Sequence, residues 1–129
     1  MPYAKHLDVL VVDDTSVSRM LVCSGLDEIG IFGYRIAKDG EEALKAMMAK
    51  PAHIVITDYE MPKLNGLQLL QALREYTPTS KVGVILVTGR GDKTLIDQGR
   101  KLGLNNYLAK PFTPPQLRAC IEAVTGKLT

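Results

Sequence analysis

What most constrains the fold of this 129-residue chain is a set of short apolar runs that each stop at a polar residue and lead into a segment with helical signals. Val9-Leu10-Val11-Val12 stops at Asp13-Asp14, and His53-Ile54-Val55-Ile56-Thr57 stops at Asp58. Val82-Gly83-Val84-Ile85-Leu86-Val87 stops at Thr88, and Asn106-Tyr107-Leu108-Ala109 stops at Lys110-Pro111. Continuous runs of this length, bounded by turn signals, are expected of strands buried on both faces. Tyr34-Arg35-Ile36-Ala37 is a fifth, weaker candidate.

Helical segments separate these runs. Val17, Met20, Leu21 and Leu26 fall at helical spacing between about Ser16 and Ile29, with Gly30 placed to stop the helix. Asp39 is a cap candidate with Glu42 at the capping-box position, and that helix runs to about Lys50, before Pro51. A turn containing Pro62, Asn65 and Gly66 precedes a helix at about Gly66 to Glu75. Asp92 is the cap candidate for a helix reaching about Leu102. Thr113-Pro114-Pro115-Gln116 opens the last helix with a capping threonine, proline at the first helical position and a capping-box glutamine.

Strand and helix thus alternate five times, which predicts an α/β fold: a doubly wound five-stranded parallel sheet with helices on both faces. The length suits one domain over residues 1–129. A formal net charge of +2 is too mild for a dedicated nucleic-acid binder. No apolar run approaches the roughly 20 residues of a membrane helix. Cys23 and Cys120 form no CxxC pattern, and are read as small apolar helix residues; a reduced, cytoplasmic setting is expected. His6 and His53 have no ligand-like neighbours, and Met47-Met48 is expected to face partly into the core.

In an open parallel sheet, ligands bind beyond the carboxyl ends of the strands. Asp13, Asp14, Asp58, Thr88 and Lys110 all stand at such ends and should converge on one cleft. Carboxylates about 4 Å apart repel by roughly 4 kcal/mol at an effective dielectric of 20, so three must take up protons or share a cation. An all-oxygen donor set favours magnesium, with manganese second, over zinc. Lys110 and the Thr88 hydroxyl suit the oxygens of a phosphoryl group, and the Asp58 carboxylate suits its acceptor.

Taken together, Asp13-Asp14, Asp58 within Asp58-Tyr59-Glu60-Met61-Pro62-Lys63-Leu64-Asn65-Gly66, Thr88, and Lys110-Pro111-Phe112 resemble the full signature of response-regulator receiver domains of the single-domain chemotaxis type. The resemblance implies a flavodoxin-like sheet of order 2-1-3-4-5. It also implies phosphorylation of Asp58 by a histidine kinase, with Mg²⁺ bound directly by Asp14, largely through water by Asp13, and by Asp58 and the Glu60 backbone carbonyl. Thr88 and Lys110 would contact phosphoryl oxygens, Tyr107 would turn inward as an aromatic switch, and the bond before Pro111 would be cis. The implied partners are a kinase of the chemotaxis type and a flagellar switch protein or other output partner, with a monomer expected. The alternatives are a phosphorelay intermediate or a phosphate sink. A small aspartate-dependent phosphatase is a distant third, since the Asp-x-Asp pattern of such enzymes is missing at Asp58-Tyr59-Glu60.

Two positions depart from the best-known chemotaxis members, which carry asparagine where Glu60 stands and glutamate where Arg90 stands. In the family these positions tune self-dephosphorylation, so a Glu60–Arg90 ion pair across the cleft mouth is expected to control water access, with Gly89 leaving the site unshielded. Asp13, Asp14, Asp58, Glu60 and Lys110 carry −3 together and leave the rest of the chain at +5. The near-neutral total hides an acidic cleft in a basic shell.

Overall fold

The computed structural model describes residues 4–89 and 93–128, with Lys5 described by its backbone alone. Strands β1 (Val9–Val12), β2 (Tyr34–Ala37), β3 (Ile54–Asp58), β4 (Gly83–Thr88) and β5 (Asn106–Ala109) alternate with helices α1 (Ser16–Ile29), α2 (Gly40–Ala49), α3 (Gly66–Glu75), α4 (Lys93–Lys101) and α5 (Pro114–Thr125). All pairings are parallel and the strand order is β2-β1-β3-β4-β5. This is the flavodoxin-like, doubly wound arrangement. Strands β3 and β4 begin and end one residue later than the apolar runs alone indicate, which draws Asp58 and Thr88 into the sheet.

The central strands are buried on both faces because successive side chains point opposite ways. Val9, Val11, Ile54, Ile56, Ile85 and Val87 pack beneath α1 and α5, with Leu26, Leu117 and Ile121. Leu10, Val12, Val55, Val84 and Leu86 pack on the other face, with Ala43, Met47, Leu70, Leu73 and Leu95 from α2, α3 and α4. Each fully buried large aliphatic side chain contributes about 1.5–3 kcal/mol relative to exposure.

Several local expectations need correction. In α1, Leu26 is buried, but Val17, Met20 and Leu21 are 67%, 68% and 61% exposed. The helix carries two apolar sets at helical spacing, and the sheet takes the one formed by Val22, Gly25 and Leu26. Asp39 caps α2 by accepting from the Glu42 amide, yet the Glu42 carboxylate reaches the Lys38 amide, so the reciprocal box is not closed. The Met47-Met48 pair does face partly into the core, with Met47 buried and Met48 58% exposed. Asp92 lies outside the described residues. By contrast, α5 has its complete Thr113–Gln116 capping box. Two short 3₁₀ turns, Ala4–His6 and Thr77–Thr79, were not signalled by periodicity.

One polar network ties the helical layer to the sheet. The Asn105 Oδ1 atom accepts the Val84 amide at 2.8 Å and the Arg74 guanidinium at 2.9 Å. Arg74 also donates to the Gly103 carbonyl at 2.8 Å, joining the end of α3 to the loop after α4. Because Val84 is fully buried, losing this acceptor leaves its amide unsatisfied. Asn105→Ala is therefore expected to lower stability by about 1–3 kcal/mol. Urea denaturation followed by circular dichroism measures this, and an unchanged midpoint would contradict the assignment.

Candidate functional site

Strand register builds the site. Val12 lies opposite Thr57, Asp58 opposite Val87, and Thr88 opposite Ala109. The ladder then continues by one residue at two places, since the Asp13 amide donates to the Ala37 carbonyl and the Lys110 amide donates to the Thr88 carbonyl. Four strands therefore deliver Asp13, Asp58, Thr88 and Lys110 to one edge of the sheet, and Asp14 follows directly on Asp13.

The three aspartates meet there. One carboxylate oxygen from each of Asp13, Asp14 and Asp58 lies within 4.8 Å of the others. Asp13 is buried and Asp14 exposed, while the Asp58 side chain is 11% exposed. The donors are all carboxylate oxygens, and neither histidine nor cysteine joins them. Such a set fits a hard divalent cation that keeps part of its water shell.

Lys110 supplies the positive charge within the protein. Its Nζ donates to Asp58 Oδ1 at 3.3 Å. The bond that follows, Lys110–Pro111, is cis. Burial pushes the Asp58 carboxyl up from its ordinary value; Lys110 opposes that shift and the Asp13 charge adds to it. The lysine thus offsets only part of the cost of a largely buried anion beside two others.

Other residues hold these groups in place. The Asp13 carboxylate accepts the Thr15 amide at 3.0 Å, which fixes its direction; the Thr15 side chain makes no cap to α1. Arg19 of α1 donates to the Asp13 carbonyl at 2.8 Å. Sequence reasoning missed Arg19, because an arginine six residues from an aspartate has no meaning until the strand-to-helix turn is formed. The Asn65–Gln68 capping box at the start of α3 was also missed, although Asn65-x-x-Gln68 spells it. Gly66 is needed for close approach: a Cβ there would lie 2.6 Å from the Asp58 carbonyl oxygen. That glycine lets α3 start directly beneath the Asp58 loop, and Lys63 holds a left-handed φ of 68° in the same loop.

The remaining candidates lie around this centre. Thr88 is buried. Tyr107 on β5 is 36% exposed. Its carbonyl accepts the thiol of Cys120 at 3.5 Å. Glu60 is exposed, whereas Arg90 lies outside the described residues, and with it the expected Glu60–Arg90 pair. His53 is exposed and its Nδ1 accepts the Asp8 amide. Both cysteines are free thiols, and burial pushes Cys120 up to about 11.

A pH dependence follows from the raised Asp58 value. The folded protein binds that proton more tightly than the unfolded chain, so stability falls as pH rises from the ordinary carboxylate value through the raised one. In buffer containing a chelator, Asp58→Asn is expected to melt a few degrees above the wild type at neutral pH. The difference should vanish on acidification below about pH 4. Melting curves across that range check it, and an Asn variant that melts lower at neutral pH would contradict the electrostatic account.

With the geometry established, the comparisons with known proteins are specific. Residues 9–122 match the response regulator receiver domain family. The probable chemotaxis protein CheY of Rhizobium etli is 43% identical over 128 residues, spanning 99% of both chains. The crystal structure of chemotaxis protein CheY4 of Vibrio cholerae superposes with a TM-score of 0.85 at 27% identity, covering 92% of this chain and 98% of that one. The receiver domain of a Pseudomonas aeruginosa sensor histidine kinase, solved with magnesium in its cleft, shares the fold with a TM-score of 0.81 at 24% identity over 94% and 98% of the two chains. The acidic strand-end cleft and the sheet that builds it belong to a response regulator receiver domain of the two-component signalling family, and among its relatives this chain is closely akin to the CheY proteins of chemotaxis.

Proposed function

We propose that Asp58 receives a phosphoryl group from a phosphohistidine of a histidine kinase, and that the modified cleft changes which partner the protein binds. The observation that carries this reading is the convergence of three carboxylates within 4.8 Å with a lysine 3.3 Å from one of them. Asp58 is the acceptor because it alone among the three is paired to Lys110 and ends a sheet strand. In the transfer, an Asp58 oxygen forms a bond to phosphorus as the phosphorus–nitrogen bond breaks, and the imidazole nitrogen keeps the electron pair.

Asp13, Asp14, Asp58 and the Glu60 carbonyl would hold Mg²⁺, which supplies positive charge against which two anions can meet. Lys110 moves from Asp58 Oδ1 to a phosphoryl oxygen, and the Thr88 hydroxyl donates to another. This assistance to its own transfer and hydrolysis is the only catalysis assigned. Thr88 then biases β4 and its following loop, and Tyr107 on the neighbouring strand turns from its exposed position as the surface changes. Glu60, Gly89 and Arg90 set water access and hence the lifetime of the acyl phosphate. The leading output is motor control through a flagellar switch protein, supported by kinship with CheY proteins along the whole chain.

Transfer from a phosphorylated chemotaxis-type kinase domain tests the reading. Wild type is expected to drain the kinase of phosphate, and Asp58→Asn to leave it labelled; equal draining by both would overturn it. Phosphorylated protein should then bind a flagellar-switch peptide more tightly than unmodified protein does. Onward transfer to a histidine without that gain would identify a phosphorelay intermediate instead. Arg90→Ala is expected to change the phosphoryl lifetime by about threefold or more, on the scale of one exposed ion pair; an unchanged lifetime would remove Glu60 and Arg90 from the tuning role.

A further inference from the structure

Four polar residues are buried among the described ones: Asp13, Thr57, Thr79 and Thr88. Asp13 and Thr88 belong to the acidic cleft, and the Thr79 hydroxyl donates to the Leu73 carbonyl at 2.7 Å in the turn that follows α3. Thr57 is the one with no role so far. It is 0% exposed and lies between Val12 and Leu86, its register partners on β1 and β4, which with Val55 belong to the apolar core on that face. Valine would fill the same space with the same branching, and a buried hydroxyl costs stability unless it is bonded. The bond is there: Thr57 Oγ1 donates to the Asp58 carbonyl at 3.0 Å.

That carbonyl belongs to the peptide unit joining Asp58 to Tyr59, and the amide of the same unit donates to the Val87 carbonyl at 3.0 Å. Both polar ends of one planar group are therefore tied, the oxygen by Thr57 and the nitrogen by β4, which sets the rotation of the plane. The start of α3 closes on the same oxygen, since a Cβ on Gly66 would lie 2.6 Å from it. The Gly66 amide in turn donates to the Tyr59 carbonyl at 2.9 Å. This plane links Asp58 to Glu60, so its rotation sets how the Asp58 carboxylate and the Glu60 carbonyl stand to one another.

We infer that Thr57 is a positioning residue for the phosphoacceptor: its hydroxyl locks the Asp58–Tyr59 peptide and so holds the Asp58 carboxylate and the Glu60 carbonyl in fixed relation. It acts through the backbone and touches neither the cation nor the phosphoryl group. The inference rests on the phosphoacceptor reading of Asp58 and deepens it, by naming the group that aligns the acceptor before any ligand arrives.

Two substitutions separate alignment from packing. Thr57→Val keeps the branched shape and removes the hydroxyl, whereas Thr57→Ser keeps the hydroxyl and removes the methyl. Each full-length variant is compared with wild type by amide hydrogen exchange without metal, by Mg²⁺ titration followed through amide shifts, and by the rate of phosphorylation from acetyl phosphate. In Thr57→Val the Tyr59 and Gly66 amides are expected to exchange about fivefold faster, with Mg²⁺ affinity and phosphorylation rate each down about fivefold, the scale of one lost hydrogen bond. Thr57→Ser is expected to stay within about twofold of wild type in all three, although its urea midpoint falls because the missing methyl leaves a void. A valine variant that matches wild type, or a serine variant that fails as badly as the valine one, would overturn the positioning role. Failure of the wild type itself to bind Mg²⁺ or accept phosphate would overturn the phosphoacceptor reading instead, and the exchange rates would still decide whether the hydroxyl holds this peptide.

Discussion

Three carboxylates whose oxygens lie within 4.8 Å of one another repel by roughly 3–4 kcal/mol per pair at an effective dielectric of 20. The fold keeps them there because each hangs from backbone that cannot move independently. Asp58 is the last residue of a central strand paired on both sides, and Asp13 is bonded through its amide to Ala37 and through its carboxylate to Thr15. The apolar packing of the strands on both faces supplies the rigidity that this repulsion works against. Lys110 offsets one charge, which leaves a site poised to gain a cation and a ligand that brings its own oxygens.

That arrangement also accounts for how a local chemical event could reach a distant surface. Thr88 and Lys110 sit on adjacent chain segments joined by the Lys110 amide to Thr88 carbonyl bond, and Tyr107 lies three residues before Lys110 on the same segment. A change in what Asp58 carries acts first on those two side chains. Elsewhere the molecule is held more firmly, as in the Arg74–Asn105 network that fixes the base of β4 to α3 and the loop before β5. That network lies at the opposite end of the sheet from the acidic cleft.

The alternation of strand and helix was legible because buried parallel strands need unbroken apolar runs, and the polar residue ending each run marked the cleft without any tertiary information. Val9 to Val12 followed by Asp13 and Asp14 shows both signals in six residues. What periodicity could not decide was which apolar set of α1 faces inward. Val17, Met20 and Leu21 share a helical face as well as Val22, Gly25 and Leu26 do, and only the position of α5 and the sheet selects the second. Arg19 and Asn105 were invisible for a related reason, since both act on partners brought near by folding. Glu42 shows the limit of a local rule: the right residue at the right spacing bonded the amide one position earlier than the box requires.

The central claim is that Asp58, among three neighbouring aspartates, is the one that becomes phosphorylated. The most direct measurement is the intact mass of the protein after incubation with a small phosphodonor and Mg²⁺, made in parallel on wild type and Asp58→Asn. The account predicts one added phosphoryl mass on the wild type, lost when the metal is chelated beforehand, and none on the variant. Labelling of both proteins to the same extent, or of neither, would contradict it.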